Sequence, residues 1–422
     1  MNEGAWIAER LVEDEALLSN SAVLSSTNDR ICAPAETVSR LRGSFGRFGI
    51  TRLADLTGLD EIGIPVWSAM RPNARTLAVS QGKGVDAASA QASALMEAVE
   101  MAVAETASLP TRRTSQRELA ARGACVETLP DLIARGFEPL GEDDEIEWAA
   151  GYDIGGHRTV WVPRDAVRLD QTTSQGETSR FWCSTDGLAS GNLLIEAALH
   201  GVLERIERDA MALWRLRKAS DIQGRCIAPA TLDDPSLGEL VSMVERAGLG
   251  VHLFDATTGA GIPVFFCAIA PSGRRKATSW KYLELVSGSG CHPVASRAAI
   301  RAVTEAVQSR LTVISGARDD IVPDEYQAPL SADVLAYLTM EPRSPGAAYT
   351  QNSEPPRREK LLAGVVAKLR EAGLARVVVV PLTDRAEPFA VVKAIVPGLE
   401  HPAGARRSGW GRRALSVMLG AT

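Results

Sequence analysis

Paired cysteines are missing from this chain. Its six cysteines, Cys32, Cys125, Cys183, Cys226, Cys267 and Cys291, form no CxxC or CxxH spacing, and its five histidines, His157, His200, His252, His292 and His401, are equally dispersed. That excludes a small disulfide-stapled scaffold and leaves a zinc site without support, so the cysteines read as reduced thiols of a cytoplasmic protein. Basic charge is also short. The 46 Lys and Arg against 52 Asp and Glu give a formal net charge of -6, which provides no electrostatic footprint for nucleic acid. No run approaches the roughly 18 apolar residues needed to cross a bilayer. The first residues carry Glu3, Glu9, Glu13 and Asp14 with no basic segment ahead of an apolar one, so neither a membrane span nor a secretory signal is expected. Nor is there an internal repeat of fixed period.

What is present is material for a core. With 45% hydrophobic and 23% charged residues, 422 residues suffice for one large domain or two intimate ones. Residues 1–58 read as an amphipathic lead-in that ends in a helix end and turn at 55–60. Residues 64–70 and 76–80 read as a hairpin across Arg71-Pro72-Asn73-Ala74. After Gly82-Lys83-Gly84, the stretch 86–107 has no Gly or Pro and is rich in Ala, Glu, Met and Val, which predicts a long helix capped by Asp86. A surface helix is expected at 112–122, two strands around Gly155-Gly156 within 145–164, and a mobile loop at 172–179. Helices at 192–218 and 236–247 follow, then strands at 251–254 and 263–270. Glycine-rich Ser287-Gly288-Ser289-Gly290 leads into a third long helix at 295–314. Residues 318–357, rich in Asp, Pro, Ser and Glu, read as an irregular insertion. A helix at 359–372, strands at 376–380 and 390–395 and a basic tail complete the chain. The mixture is an α+β class, divided into a lead-in (1–58), a main domain (59–400) and a tail (401–422).

The three long helices carry polar stripes. At 100° per residue, Ser93, Glu97 and Glu100 share one face of the first, Asn192, Glu196, Glu204 and Glu207 with Arg208 share one of the second, and Arg301, Glu305 and Gln308 line up on the third. Taken singly, each is most simply a solvated face. Two features count against that. Glu97 with Glu100, and Glu204 with Glu207, are like charges three residues apart, which repel unless a cation lies between them. A solvated face normally carries lysine, yet 86–107 has no Lys or Arg. Magnesium is a natural partner for one or two carboxylates plus phosphate oxygens, and Arg208 and Arg301 could face such phosphates. Spacing alone leaves the solvated face and the nucleotide site both open. Gly82-Lys83-Gly84 and Ser287-Gly288-Ser289-Gly290 lack the P-loop pattern and read as plain turns.

The runs 82–100 and 187–209 resemble the YcaO family, whose signatures SxxxExxE (Ser93, Glu97, Glu100) and NxxxE followed by ExxER (Asn192, Glu196, then Glu204, Glu207, Arg208) stand intact. A third run, Gly290-Cys291-His292-Pro293 leading to Arg301 and Glu305, resembles the family's third ATP-site helix. The likeness covers roughly residues 30–400. It implies an α+β fold whose long helices line a central site for ATP and Mg2+, and transfer of the γ-phosphate to the oxygen of a peptide backbone amide. It implies that Glu97, Glu100, Glu204 and Glu207 hold magnesium, that Asn192, Glu196, Arg208 and Arg301 contact ATP with Ser93 in support, and that Glu305 acts with Arg301 in catalysis. Arg30 and Thr37, a basic residue and a hydroxyl seven positions on, match two further ATP contacts of the family.

Azoline-forming members commonly end in a PxPxP tail, which residues 415–422 do not carry. The tract 308–320 and Gly411-Arg412-Arg413-Ala414 look more like members that work beside a TfuA protein, which implies thioamide formation. Azoline or amidine formation is the alternative, and a catalytically silent peptide- or ATP-binding scaffold is a reading of another class. The segment ahead of residue 30 is too short for a leader-peptide-binding module. The expected partners are therefore a peptide or protein substrate and a TfuA-like or peptide-delivering protein, with no nucleic acid and no membrane. The oligomeric state, with a homodimer among the options, is left open. Cys291 beside His292 reads as a buried thiol before it reads as a sulfur carrier.

Overall fold

The computed structural model describes residues 4–22, 28–169, 179–272, 284–318, 336–342, 356–402, 406 and 409–420. Nearly all of the expected 172–179 loop and most of the expected 318–357 insertion lie outside the described residues. In chain order the elements are α1 (Ala5–Asn20), α2 (Pro34–Arg42), β1 (Arg52–Asp55), β2 (Val66–Met70), β3 (Val79–Lys83), α3 (Ala87–Thr106), β4 (Thr111–Thr114), α4 (Gln116–Ala121), β5 (Cys125–Val126), β6 (Ile146–Asp153), β7 (Arg158–Pro163) and β8 (Leu188–Gly191). They continue with α5 (Leu194–Trp214), α6 (Ala219–Gln223), β9 (Cys226–Ile227), α7 (Pro235–Arg246), β10 (Leu249–Asp255), β11 (Val264–Pro271), β12 (Val286–Cys291), α8 (Ala295–Ser315), α9 (Leu361–Glu371), β13 (Val378–Pro381), β14 (Ala390–Ile395) and α10 (Arg412–Met418).

These form an α+β fold with three sheets. β1-β2-β3 is one, β12-β11-β10-β9 is the second, and β5-β7-β6-β13-β14-β8, with β4 also on β6, is the third. Among the described residues β5 and β7 alone run parallel. The expected hairpin is β2 and β3, paired from Val66 with Lys83 to Met70 with Val79.

Each long helix follows a strand after a short turn and folds back onto it: β3 to α3, β8 to α5 and β12 to α8. Glycine makes the close approach feasible. A Cβ at Gly82 would fall on the backbone of α3 at Ala94 and Ser93, and one at Gly290 would come within 2.6 Å of Ala302 N and Arg301 Cβ on α8. Each helix also touches the strand that opens another unit, α3 on β8, α5 on β12 and α8 on β3. The three strand–helix units thus close into a ring, which turns the polar stripes of three sequence-distant helices toward one another.

The apolar faces point away from that centre. Leu95, Ala98 and Val99 of α3, Val202 and Ile206 of α5, and Val303 and Val307 of α8 are buried, each larger side chain contributing roughly 1.5–3 kcal/mol. Asp86 caps α3 by accepting from Ser89 N at 2.7 Å. The start of α5 has no side-chain cap of its own; Asp14 of α1 supplies one, accepting from Ile195 N at 3.1 Å.

Several local expectations change. The expected helix end and turn at 55–60 is a single 3-10 turn at Thr57–Leu59, and it follows a strand, since 52–55 pair with β2. Residues 111–114 pair with β6, which leaves only 116–121 of the expected surface helix. The second long helix is shorter than 192–218, since Leu193 is extended (φ -122, ψ 157) and a tight turn ends it after Trp214. Gly82 and Lys83, and Ser287 to Gly290, stand in strands, where the overlying helices demand small residues, and are not plain turns. Among the described residues no helix is long and apolar enough to cross a membrane.

Candidate active site

One end of the α5 stripe is a hydrogen-bonded corner. Asn192 stands just before the helix, and the Glu196 carboxylate one turn in accepts from Asn192 N at 2.9 Å and from Ile31 N at 2.6 Å. The Arg30 guanidinium donates to the same carboxylate at 3.4 Å and to Ser190 O at 3.3 Å. Thr37, buried on α2, donates to Asn192 Oδ1 at 3.0 Å. Thr37, 155 residues from Asn192 in sequence, and Arg30, 166 from Glu196, are thereby brought to the Asn192 end of α5. Asp29 secures their segment: His292 Nε2 lies 3.0 Å from its carboxylate, which Arg297 also pairs, and these hold its pKa at about 2 against the effect of burial.

The carboxylates gather at the other end. Glu97 and Glu100 of α3 face Glu204 of α5 closely enough that each ionised group disfavours the others. Burial, chiefly, pushes Glu97 to about 7 and Glu100 well above the ordinary carboxylate range, with the charge of Glu204 adding to both. Glu204 is raised by burial too, although Arg208 donates to its Oε1 at 3.3 Å. Glu105 on the same helix α3 is different, because Arg71 from the β2–β3 turn pairs with it at 2.5 Å.

Glu207 and Glu305 form a second pair across α5 and α8. Ser289 of β12 donates to Glu207 Oε1 at 2.7 Å and approaches Glu305 Oε1 at 3.5 Å. Burial and the Glu305 charge raise the Glu207 pKa. Burial would raise Glu305 as well, but Lys83 of β3, 2.6 Å from its Oε2, and Arg208 bring it below the usual value. Arg301 of α8 donates to His200 Nδ1 at 3.2 Å and borders, with Arg30, Glu196, His200 and His292, a cavity of about 470 Å³. Ser93 lies half-buried one turn before Glu97, against the Gly82 end of β3. Cys291 is fully buried and its thiol is pushed well up by that burial.

The twelve residues that the family likeness assigned to the site therefore stand on the three helices of the ring or at its Asn192 corner. Sequence reasoning missed Lys83, Ser289, His200 and Asp186, whose Oδ1 stands 3.8 Å from Arg208 Nε. Lys83 had a signal, a lone lysine just ahead of a helix that has carboxylates and no cations. Ser289 and Asp186 had none, since only the strand–helix ring brings them in.

A cation and an anion both suit this arrangement. The three half-buried carboxylates keep raised pKa values despite the charges of Lys83, Arg208 and Lys393, and a divalent ion would add the positive charge that favours their ionised forms. Among the described residues no three His, Cys, Asp or Glu side chains stand close enough to hold a metal ion by themselves. Magnesium takes one or two carboxylates per ion and fills its octahedron with water and phosphate oxygens. Arg30, Arg208, Arg301 and Lys83 around the same space match the phosphates.

The comparisons agree on the origin of this architecture. Residues 81–400 match the family model described as YcaO cyclodehydratase, ATP- and Mg2+-binding. A Rhizobium leguminosarum bv. trifolii protein described as an uncharacterized protein in the tfuA 3' region is 37% identical over 411 residues, 96% of each chain. An uncharacterized protein of Methanothermobacter thermautotrophicus is 34% identical over 375 residues, 87% of this chain and 94% of the other. The fold is that of a heterocyclase solved in complex with substrate and cofactor, at TM-score 0.73 and 21% identity over 97% of this chain and 58% of the heterocyclase, so this chain spans little more than half of that one. It is also that of YcaO from Methanopyrus kandleri bound with AMPPCP and Mg2+, at TM-score 0.65 and 23% identity over 88% and 92% of the two chains. With three-quarters of its length matched by the family model, and the family's signature residues on the inner faces of three helices, the chain belongs to the YcaO family, whose domain binds ATP and Mg2+.

Proposed function

We propose that this protein uses ATP to phosphorylate the oxygen of a peptide backbone amide and then exchanges that oxygen for sulfur, working with a TfuA-like partner. The observation that carries the first step is the seam of carboxylates with raised pKa values, Glu97 and Glu100 of α3 against Glu204 of α5, with Arg208 on Glu204 and the Asn192–Glu196 corner further along α5. Asn192, Glu196, Arg30 and Thr37 would orient the nucleotide, with Ser93 holding α3 in place. Arg208 and Arg301 would bind the phosphates. Glu97, Glu100, Glu204 and Glu207 would hold magnesium, which when bound neutralises the triphosphate and the charge that builds up during transfer. Glu305, kept ionised by Lys83, would order the phosphate end of the site.

An amide carbonyl is a poor electrophile. Phosphorylation makes its oxygen part of a leaving group, with ADP released. Hydrosulfide supplied by the partner can then attack the carbon; the C–O bond breaks, phosphate departs with the original oxygen, and a thioamide remains. The chain's share of catalysis is alignment and charge neutralisation. The thioamide branch is supported by the relative whose gene lies in a tfuA 3' region. The family's description as cyclodehydratase favours a second reading, in which a Cys, Ser or Thr side chain of the peptide attacks and an azoline forms.

Mass spectrometry of a candidate peptide co-expressed with this protein and a TfuA-like protein tests the proposal. A gain equal to sulfur replacing oxygen is expected, and loss of one water would give the azoline reading instead. ATP hydrolysis stimulated by that peptide should fall at least about 100-fold in Glu204→Gln. Equal turnover in the variant and the wild type would sink the enzyme assignment and leave a binding scaffold.

A further inference from the structure

His200 sits on α5 one turn beyond Glu196 and one turn before Glu204. At a rise of ~1.5 Å per residue it lies about 6 Å along the axis from each, between the Asn192 corner and the carboxylates. Its Nδ1 is 3.2 Å from an Arg301 guanidinium nitrogen. A guanidinium can only donate, so the ring nitrogen facing it bears no proton and the other nitrogen, Nε2, carries the imidazole N–H. Burial, and after it the charges of Arg301, Arg30 and Lys83, push the His200 pKa well below its ordinary value, consistent with a neutral ring.

Arg301 has other acceptors to choose from. It comes from α8, one turn before Glu305, and its charge is felt by Glu207 across the seam. A long, flexible guanidinium in that place would be drawn onto those carboxylates, where an ion pair would take it out of service. His200 offers a neutral acceptor on the far side and shares with Arg301 the wall of the cavity that Arg30 and Glu196 also line.

We infer that His200 is a positioning residue whose neutral imidazole holds the Arg301 guanidinium off Glu207 and Glu305 and aims it into the cavity, where it grips a phosphate of the nucleotide. The inference rests on the proposed nucleotide site and adds to it a residue that acts through Arg301. An uncharged acceptor is required for this. A carboxylate at 200 would hold Arg301 as firmly but cancel its charge, whereas glutamine can accept from Arg301 and donate with its amide, as the imidazole does.

Calorimetric titration of the full chain with AMPPCP in the presence of Mg2+ tests it. His200→Leu should weaken binding about tenfold, as should His200→Asn, which is polar but too short to reach Arg301, while His200→Gln should stay within about threefold of wild type. Arg301→Met should weaken binding more. Combining His200→Leu or His200→Asn with Arg301→Met should cost nothing further, since the histidine acts through the arginine, whereas damage to packing would add to it. Unchanged binding in both loss variants, or losses that multiply in the double variants, would overturn the role of His200 and leave the nucleotide site standing. A wild-type chain that does not bind AMPPCP with Mg2+ would instead remove the nucleotide reading, and this inference with it.

Discussion

Glu97, Glu100 and Glu204 repel one another across the seam between α3 and α5, and burial adds to the cost of ionising each. Glu105, two turns beyond Glu97, pairs instead with Arg71. Such unrelieved charge is tolerated where a ligand will later compensate it, and it should be visible in the ligand-free protein. Glu97→Gln should raise the melting temperature of the free protein by about a degree, which is about 1 kcal/mol for a chain of this size, while lowering ATP turnover. Differential scanning fluorimetry with and without Mg2+ and AMPPCP checks this, and a lower melting temperature for the free variant would contradict the uncompensated cluster. The sequence made these glutamates legible because helix periodicity is local: Ser93, Glu97 and Glu100 share a face whatever surrounds α3. Lys83 was legible only as a lone cation ahead of α3, and its partner Glu305 and the role of Ser289 on Glu207 were not, because β3 lies beside α8 and β12 beside α5 only in the folded chain.

At the scale of the element, glycine separates two situations that the sequence writes with the same letter. Gly290 in β12 faces α8, and a methyl group there would press on Ala302 N and Arg301 Cβ. Gly290→Ala should therefore displace the helix that carries Arg301 and cost roughly 2–4 kcal/mol of stability together with nucleotide binding. Gly364 is exposed in the middle of α9 with nothing within 4 Å of an added Cβ. Gly364→Ala should gain about 0.5–1 kcal/mol through helix propensity alone. Urea denaturation of the two variants should thus give opposite signs. The glycines of 287–290 read as a turn because local chemistry favours turns, and the overlying helix that explains them is not a local fact. In the same way, 52–55 and 111–114 became strands only by finding partners in β2 and β6.

Across the whole molecule, segments far apart in sequence meet behind the site. His401, just beyond β14, packs its ring against Trp182 at 6.2 Å and brings Nδ1 to 3.5 Å from Asp186, with Arg205 of α5 also beside that carboxylate at 3.5 Å. Burial first, then the charge of Arg205, lowers the His401 pKa from 6.5 to about 4, outweighing Asp186. Because the folded pKa lies below the unfolded one, the unfolded chain takes up the proton first. The stability contribution is complete above pH 6.5 and declines as pH falls toward about 4, by up to roughly 3 kcal/mol. His401→Gln should flatten the pH dependence of the urea midpoint across that window, and an unchanged slope would assign the acid sensitivity to other groups.

Periodicity in the sequence determined the three helices and their polar faces, and the signature motifs carried the resemblance to the family and with it the ATP and Mg2+ chemistry. Those properties depend on residues within a few turns of one another. Tertiary structure alone decided that the three stripes face a common centre, because that follows from the ring in which each helix covers its own strand and touches another's. It also decided the partners that arrive from elsewhere: Asp14 capping α5, Arg30 and Thr37 at the Asn192 corner, Lys83 on Glu305 and His200 on Arg301. A hydrogen bond or ion pair between such groups needs a separation of about 3 Å, and no separation in sequence specifies one in space.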